Sequence, residues 1–177
     1  MTLTSKRAGD IMIPIHRYPN VLHTATLHQA VEIMEHASID IDGRKSLPRA
    51  LLVFDEEYHP LGIVRRRDIL RGLEPKFMRI MSVPHRRKLF DIEGDPNLVE
   101  LAYGKIASGM REQAEHPVSE VMQPIVSTVD INDHLAKIIF KMITKDLNLL
   151  PVLDQQKVVG VVRSVDVFNE VAHLLED

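Results

Sequence analysis

The sequence contains no cysteine and no tryptophan, and aromatic residues make up only 5% of its 177 positions. The lack of cysteine excludes disulfides, cysteine-ligated zinc, iron–sulfur clusters and thiol catalysis. No apolar run approaches the roughly 18 residues that a membrane span needs, and residues 1–10 lack the apolar core of a signal peptide. We therefore expect a soluble, cytoplasmic protein that makes no membrane contact.

Strong net charge is also missing, since the chain carries −3 at pH 7 and is 45% hydrophobic. This balance argues against wholesale attraction to nucleic acid. The segment from Arg65 to Lys88 is an exception, because Lys and Arg are concentrated there. Arg65–Arg67 together with His85–Lys88 form a candidate nucleic-acid patch, but no aromatic residue interleaves with the arginines at 65–67 to stack on bases. We expect nucleic acid to be an unlikely partner.

An internal duplication runs through the chain. "DIMIP" at 10–14 has a counterpart in "EVMQP" at 120–124, and "GIVRRRDIL" at 62–70 has one in "GVVRSVDVF" at 160–168. Between them, each copy has a helical apolar stripe followed by two short aliphatic runs typical of buried strands. Four matches in the same order indicate two copies of a strand, helix, strand, strand, helix unit.

The caps of the first helix in each copy can also be read from the sequence. Thr26 and Gln29 have the spacing of a capping box before the first stripe. Asn132 or Asp133 is available as the cap before the second stripe.

Catalytic and metal-binding patterns are missing as well. The sequence has no P-loop, no nucleophile elbow and no Gly-x-Gly-x-x-Gly. Its nine histidines include no His-x-x-x-His pair on a helix and no His-Glu-x-x-His. His28 and Glu32 are four residues apart on the first helix, on its expected exposed side. We predict neither an enzyme nor a metal site.

The order of these motifs resembles a tandem pair of CBS domains, also called a Bateman module. The resemblance implies an α/β (α+β) fold in which two β-α-β-β-α repeats pack as a pseudo-twofold disc. It places repeat 1 at 6–74, with an inserted polar loop at about 38–49 that could be a lid, and repeat 2 at 117–175. The intervening residues, 75–116, form a linker with a helix expected at 96–113, capped by Asp95.

The same resemblance implies two clefts commonly used for adenosine-containing ligands. In this family an Asp that follows Gly-h-h-Thr/Ser-x-x takes the ribose hydroxyls, which here identifies Asp68 and Asp166. The hydroxyl positions that face phosphate are occupied by Arg65 and Arg163, with Ser164 one position later. Arginine cannot cap a helix, so the free amides and the guanidinium groups form a candidate phosphate site. Alternatively, the acids are ordinary first-turn residues and the arginines lie in solvent or pair with a neighbouring acid.

The adenine slot is implied less specifically, by the residues after Met-x-Pro and at the start of the following strand. These candidates are Ile125, Val126 and Leu150 in one copy, and Ile15, His16 and Leu51 in the other. Aliphatic residues at such positions are core residues by default.

Two functions are consistent with this pattern. The first is a regulatory module that binds AMP, ADP, ATP or a related adenosyl compound and signals to a separate partner protein, with an adenine nucleotide as regulatory ligand and no catalytic cofactor. The second is a ligand-free scaffold for protein–protein interaction or dimerisation. We expect a homodimer in either case.

Overall fold

The computed structural model describes residues 6–41, 43–77 and 96–175. Asp95 and His85–Lys88 lie outside these residues. In chain order, the strands are β1 Ile13–Pro14, β2 Asn20–Leu22, β3 Ile39–Ile41, β4 Arg44–Ser46, β5 Ala50–Phe54, β6 Pro60–Arg65, β7 Gln123–Pro124, β8 Val129–Asp130, β9 Leu149–Asp154 and β10 Lys157–Arg163. The α-helices are α1 Ala8–Ile11, α2 Leu27–His36, α3 Arg66–Gly72, α4 Pro96–Ala114, α5 Leu135–Thr144 and α6 Ser164–Leu175. The expected α/β class with two repeated units is confirmed.

Two four-stranded sheets carry the fold, in the orders β2-β5-β6-β7 and β1-β10-β9-β8. Each sheet contains one short strand from the other repeat. Strand β1 pairs antiparallel with β10, with Pro14 opposite Gly160, and β7 pairs antiparallel with β6, with Pro124 opposite Gly62. The two repeats therefore exchange their first strands reciprocally, a pseudo-twofold arrangement.

The glycines at these crossings explain one part of the repeated motif. A Cβ built on Gly160 would lie 2.6 Å from the carbonyl oxygen of Ile13 and 2.8 Å from Sδ of Met12. A Cβ built on Gly62 would lie 2.6 Å from the carbonyl oxygen of Gln123. The glycine of each copy thus makes room for the Met-x-Pro segment of the other copy.

Alternation along the strands builds separate layers of core. In β5, Leu51 and Val53 pack against the helices of the first repeat, whereas Leu52 and Phe54 join a cluster between the sheets. This is the two-residue period of a strand buried on both faces. The first repeat also contributes Ala8 to the core of the second.

The helices α2 and α5 begin differently. In α2 the expected capping box is confirmed, since Thr26 Oγ1 accepts from Gln29 N at 3.2 Å and Gln29 Oε1 accepts from Thr26 N at 2.9 Å. The expected cap of α5 is wrong, because His134 occupies that position and makes no side-chain cap bond. The carboxylate of Asp133 instead accepts from the backbone amide of Asp130 and from Lys137.

The extra residues of the first repeat form a hairpin where the sequence suggested a polar loop. Strands β3 and β4 pair antiparallel, with Ile39 opposite Ser46, around a turn in which Gly43 has φ +79°. Ile39 is only 2% exposed and joins the cluster between the sheets. The hairpin is therefore anchored in the core at its base.

The linker helix runs over Pro96–Ala114, where a helix was expected at 96–113. It packs against α2 of the first repeat. Pro75 lies next to Gly109, since a Cβ on that glycine would come within 2.8 Å of the proline ring. The linker helix therefore covers the first repeat.

Candidate ligand-binding sites

Two carboxylates occupy equivalent positions where a strand turns into a helix. Asp68 is the third residue of α3, after β6, and Asp166 is the third residue of α6, after β10. Asp68 is fully buried and Asp166 is 8% exposed. A buried carboxylate is costly unless it is paired and hydrogen-bonded, so both need compensating partners.

The partner of Asp68 is Arg65, and we call these two residues the first site. Nε of Arg65 donates to Oδ2 of Asp68 at 2.7 Å, and Nη2 donates to Oδ1 at 3.1 Å. The backbone N–H of Arg65 also donates to Oδ2, at 3.1 Å. The side chain of Arg65 remains 44% exposed.

The second site, Asp166 with Arg163, repeats this geometry and adds a partner. Nε and Nη2 of Arg163 donate to the carboxylate of Asp166 at 2.8 and 2.6 Å. Nη1 of Arg163 donates to Oγ of Ser46 on the β3–β4 hairpin at 2.8 Å. Arg163 is only 12% exposed, so the hairpin encloses it.

The electrostatics of the first site follow from this pairing. Burial alone would raise the pKa of Asp68, but the bonds from the guanidinium and amide of Arg65 outweigh it and hold that pKa below its usual range. The bond to Asp68 raises the pKa of Arg65. Both groups are therefore charged at neutral pH.

Tyr18 is a neighbour of the second site that the sequence did not single out. Its hydroxyl donates to the carbonyl oxygen of Ala50 at 2.8 Å. Burial raises the pKa of Tyr18 above its usual range, and the charges of Arg163 and Asp166 act on it. The first repeat therefore contributes both Tyr18 and Ser46 to the surroundings of the second site, and local sequence carries no signal of either contact.

The first amide of each helix is occupied, so the expectation of free N–H groups does not hold at that position. The amide of Arg66 donates to the carbonyl oxygen of Arg49 at 3.3 Å, and the amide of Ser164 donates to that of Asn148 at 2.9 Å.

The aliphatic candidates for the adenine slot differ in how exposed their side chains are. The side chains of Leu51 and Leu150 are fully buried in the helix-facing cores. Ile15 is partly buried against the cluster between the sheets. The remaining candidates are His16, which is exposed, Val126, which is 60% exposed, and Ile125, which is partly buried.

Other features have less bearing on the site. The ligand atoms of Asp55, Glu57 and His59 lie within 4.8 Å of one another on a turn, but Asp55 already accepts from the amide and ring of His59. His28 and Glu32 are exposed, as expected, and lie 3.6 Å apart. Among the helices of the described part of the chain, none has the length and hydrophobicity to cross a membrane.

A family model described as the CBS domain matches residues 8–75 and 118–173. The chain belongs to the CBS domain family. Comparison with curated proteins finds no match.

Solved structures with similar folds extend over nearly the whole chain. CBSX2 in complex with AMP has a TM-score of 0.62 at 17% identity, covering 97% of this chain and 99% of that chain. The CBS-pair protein CBSX2 from Arabidopsis thaliana has a TM-score of 0.63 at 16% identity, covering 98% and 99%. The CBS domain of a membrane protein from Sphaerobacter thermophilus has a TM-score of 0.64 at 21% identity, covering 94% and 88%. At these identities the likeness establishes the CBS-pair fold.

Proposed function

We propose that this protein is a regulatory module that binds an adenosine-containing ligand, with AMP, ADP and ATP as the first candidates. The observation that carries the proposal is the pair of buried carboxylates, Asp68 and Asp166, each held by an arginine three residues earlier. A ribose offers two adjacent hydroxyl donors, which suit a carboxylate whose oxygens accept hydrogen bonds. The AMP complex of a protein with the same fold supports this choice of ligand class.

Binding would exchange the partners of each site. A carboxylate has about four acceptor positions, and three on Asp68 are used by bonds from Arg65. Two ribose hydroxyls therefore require at least one of these bonds to be given up, which happens if the guanidinium of Arg65 turns away from the carboxylate. The released guanidinium can then bind phosphate in a bidentate manner, so that one movement completes both halves of the nucleotide site.

The ligand would regulate a separate protein, and no catalysis by this chain is proposed. A ligand shifts a conformational equilibrium only through its different affinities for the two states. The partner exchange provides such a difference at the second site, because Arg163 also holds Ser46 of the hairpin. Ligand binding there would release the hairpin from Arg163.

A thermal-shift panel tests the proposal. AMP, ADP, ATP, NAD and S-adenosylmethionine are compared with the guanosine nucleotides on the wild type and on Asp68→Asn, Asp166→Asn and the double variant. A ligand at about 100 times its Kd stabilises the fold by about 2.7 kcal/mol, or roughly 5–11 °C for a chain of this size. Adenine-specific shifts that the double variant abolishes support the proposal, and a flat panel on folded protein refutes it.

A second function, self-association, is favoured by an apolar face on the second repeat. Helices α5 and α6 pack together and leave Phe140 66%, Ile143 75% and Phe168 70% exposed. Large exposed apolar side chains that cluster on one face mark interaction surfaces. Sedimentation of the wild type and of Ile143→Glu should give a dimer and a monomer, respectively, whereas a monomeric wild type would contradict this function.

A further inference from the structure

The two sites share their backbone geometry but differ in the charge of the side chains around them. The carbonyl oxygens of Arg49 and Asn148 accept from the first amides of α3 and α6, which makes these residues equivalent. At four equivalent positions the first repeat has arginine and the second has an uncharged residue. The arginines are Arg49, Arg66, Arg67 and Arg71, and their counterparts are Asn148, Ser164, Val165 and Asn169.

The first site is therefore strongly basic. Nη1 of Arg71 lies 3.9 Å from Oδ1 of Asp68, with its side chain 61% exposed. Arg66 and Arg67 are exposed and directly precede Asp68 on α3, and Arg49 is exposed beside them. Arg71 thus lies near the buried carboxylate, and three further arginines flank the start of α3. At the second site Arg163 is the one arginine among the equivalent positions.

The arginines that hold the carboxylates also differ in their freedom to move. Arg65 is 44% exposed, and its guanidinium donates to Asp68. Arg163 is 12% exposed and also bonds to Ser46. Turning Arg65 towards a phosphate leaves the hairpin intact, whereas turning Arg163 breaks its bond to the hairpin.

We propose that the first site selects nucleotides that carry two or three phosphates, and that the second site, closed by the hairpin, does not. The inference rests on the proposed function and names the ligand class of one of its two sites. Each added phosphate brings negative charge and oxygen acceptors, which arginine binds in a bidentate manner. Because arginine is in excess near Asp68, each further phosphate should increase the affinity of the first site. The uncharged residues near Asp166 give no such increase at the second site.

The test exchanges residues between the copies. Arg66→Ser with Arg67→Val gives the first site the residues of the second, and Ser164→Arg with Val165→Arg makes the reciprocal change. AMP, ADP and ATP are titrated calorimetrically into the wild type, both exchange variants and Asp166→Asn, which isolates the first site. Arg66→Ser alone is compared with Lys157→Ser, which removes one exposed positive charge at the opposite end of β10 from Arg163.

The expected result is an affinity that rises from AMP to ATP in the wild type and in Asp166→Asn. Arg66→Ser with Arg67→Val should lower the affinity for ATP by about tenfold or more, because charge-assisted hydrogen bonds are lost. The same variant should change the affinity for AMP by less than about threefold. Lys157→Ser should behave as the wild type. The reciprocal variant should raise the affinity of the second site for ATP relative to its affinity for AMP.

The contrary results separate the two claims. Equal affinities for AMP, ADP and ATP that the exchange variants leave unchanged would overturn this inference and leave the proposed function standing. Absence of all nucleotide binding would overturn both. Inorganic tripolyphosphate and a short RNA are included as probes, and either one binding as tightly as ATP would overturn the inference by showing a general anion patch.

Discussion

The Met-x-Pro segments cross closely over the repeated glycines, so a methyl group added at either glycine should lower the stability of the fold. In Gly160→Ala the added Cβ would lie 2.6 Å from the carbonyl oxygen of Ile13 and 2.8 Å from Sδ of Met12. The carbonyl belongs to the backbone of β1, which pairs with β10 at this point. The methyl group can therefore be accommodated only if the exchanged strand moves.

Overpacking of this kind costs about 1–3 kcal/mol. For a domain of this size each kcal/mol lowers the melting temperature by roughly 2–4 °C, so Gly160→Ala should melt about 2–12 °C below the wild type. Gly62→Ala should behave similarly, because its Cβ would lie 2.6 Å from the carbonyl oxygen of Gln123.

Gly104→Ala is the matched control, because a Cβ at this position in α4 meets nothing within 4 Å. Alanine is favoured over glycine inside a helix by about 0.5–1 kcal/mol, so this variant should melt at or slightly above the wild-type temperature. The assay is thermal unfolding followed by circular dichroism. If Gly160→Ala and Gly62→Ala melt together with Gly104→Ala, the close exchange of strands between the repeats is refuted.

Three further predictions concern the surroundings of the two sites. Tyr18→Phe removes the buried bond to Ala50 and should lower the free energy of unfolding in urea by about 1 kcal/mol; unchanged stability would contradict that bond. Asp68 has a folded pKa below its unfolded value of about 3.9, so its stabilisation is present above that pH and is lost as the pH falls through the folded pKa. The melting temperature of the wild type should therefore fall more steeply below about pH 4 than that of Asp68→Asn, and parallel curves would be inconsistent with the ion pair. Ser46→Ala breaks the bond to Arg163 and should speed amide hydrogen exchange in the β3–β4 hairpin but not in α2, whereas equal exchange would show that Arg163 does not hold the hairpin.

The sequence predicted the repeated units because their signals are local. The apolar stripe of α2 and its capping box at Thr26 and Gln29 each lie within a few turns of chain. The cap of α5 was missed because Asp133, a good cap residue, forms other bonds that depend on the turn before the helix. The hairpin differs from the expected polar loop because polar residues and Gly43 dominate the segment, and the alternation of Ile39, Asp40 and Ile41 is too short to outweigh them.

The contacts between repeats could not be read from local patterns. Strands of two residues, such as β1 and β7, have too little periodicity to reveal their partners, and only the folded arrangement selects them. The bond from Arg163 to Ser46 joins residues 117 positions apart. By contrast, the pairing of Arg65 with Asp68 was among the alternatives that the sequence left open, because residues three apart at the start of a helix can meet.

The most direct test of the account is a crystal structure of the protein grown with ATP. If Asp68 is a ribose ligand, the ribose hydroxyls should lie within hydrogen-bond distance of its carboxylate, with the guanidinium of Arg65 turned from that carboxylate to a phosphate. Nucleotide bound elsewhere while the bond between Nε of Arg65 and Oδ2 of Asp68 keeps its 2.7 Å length would contradict it.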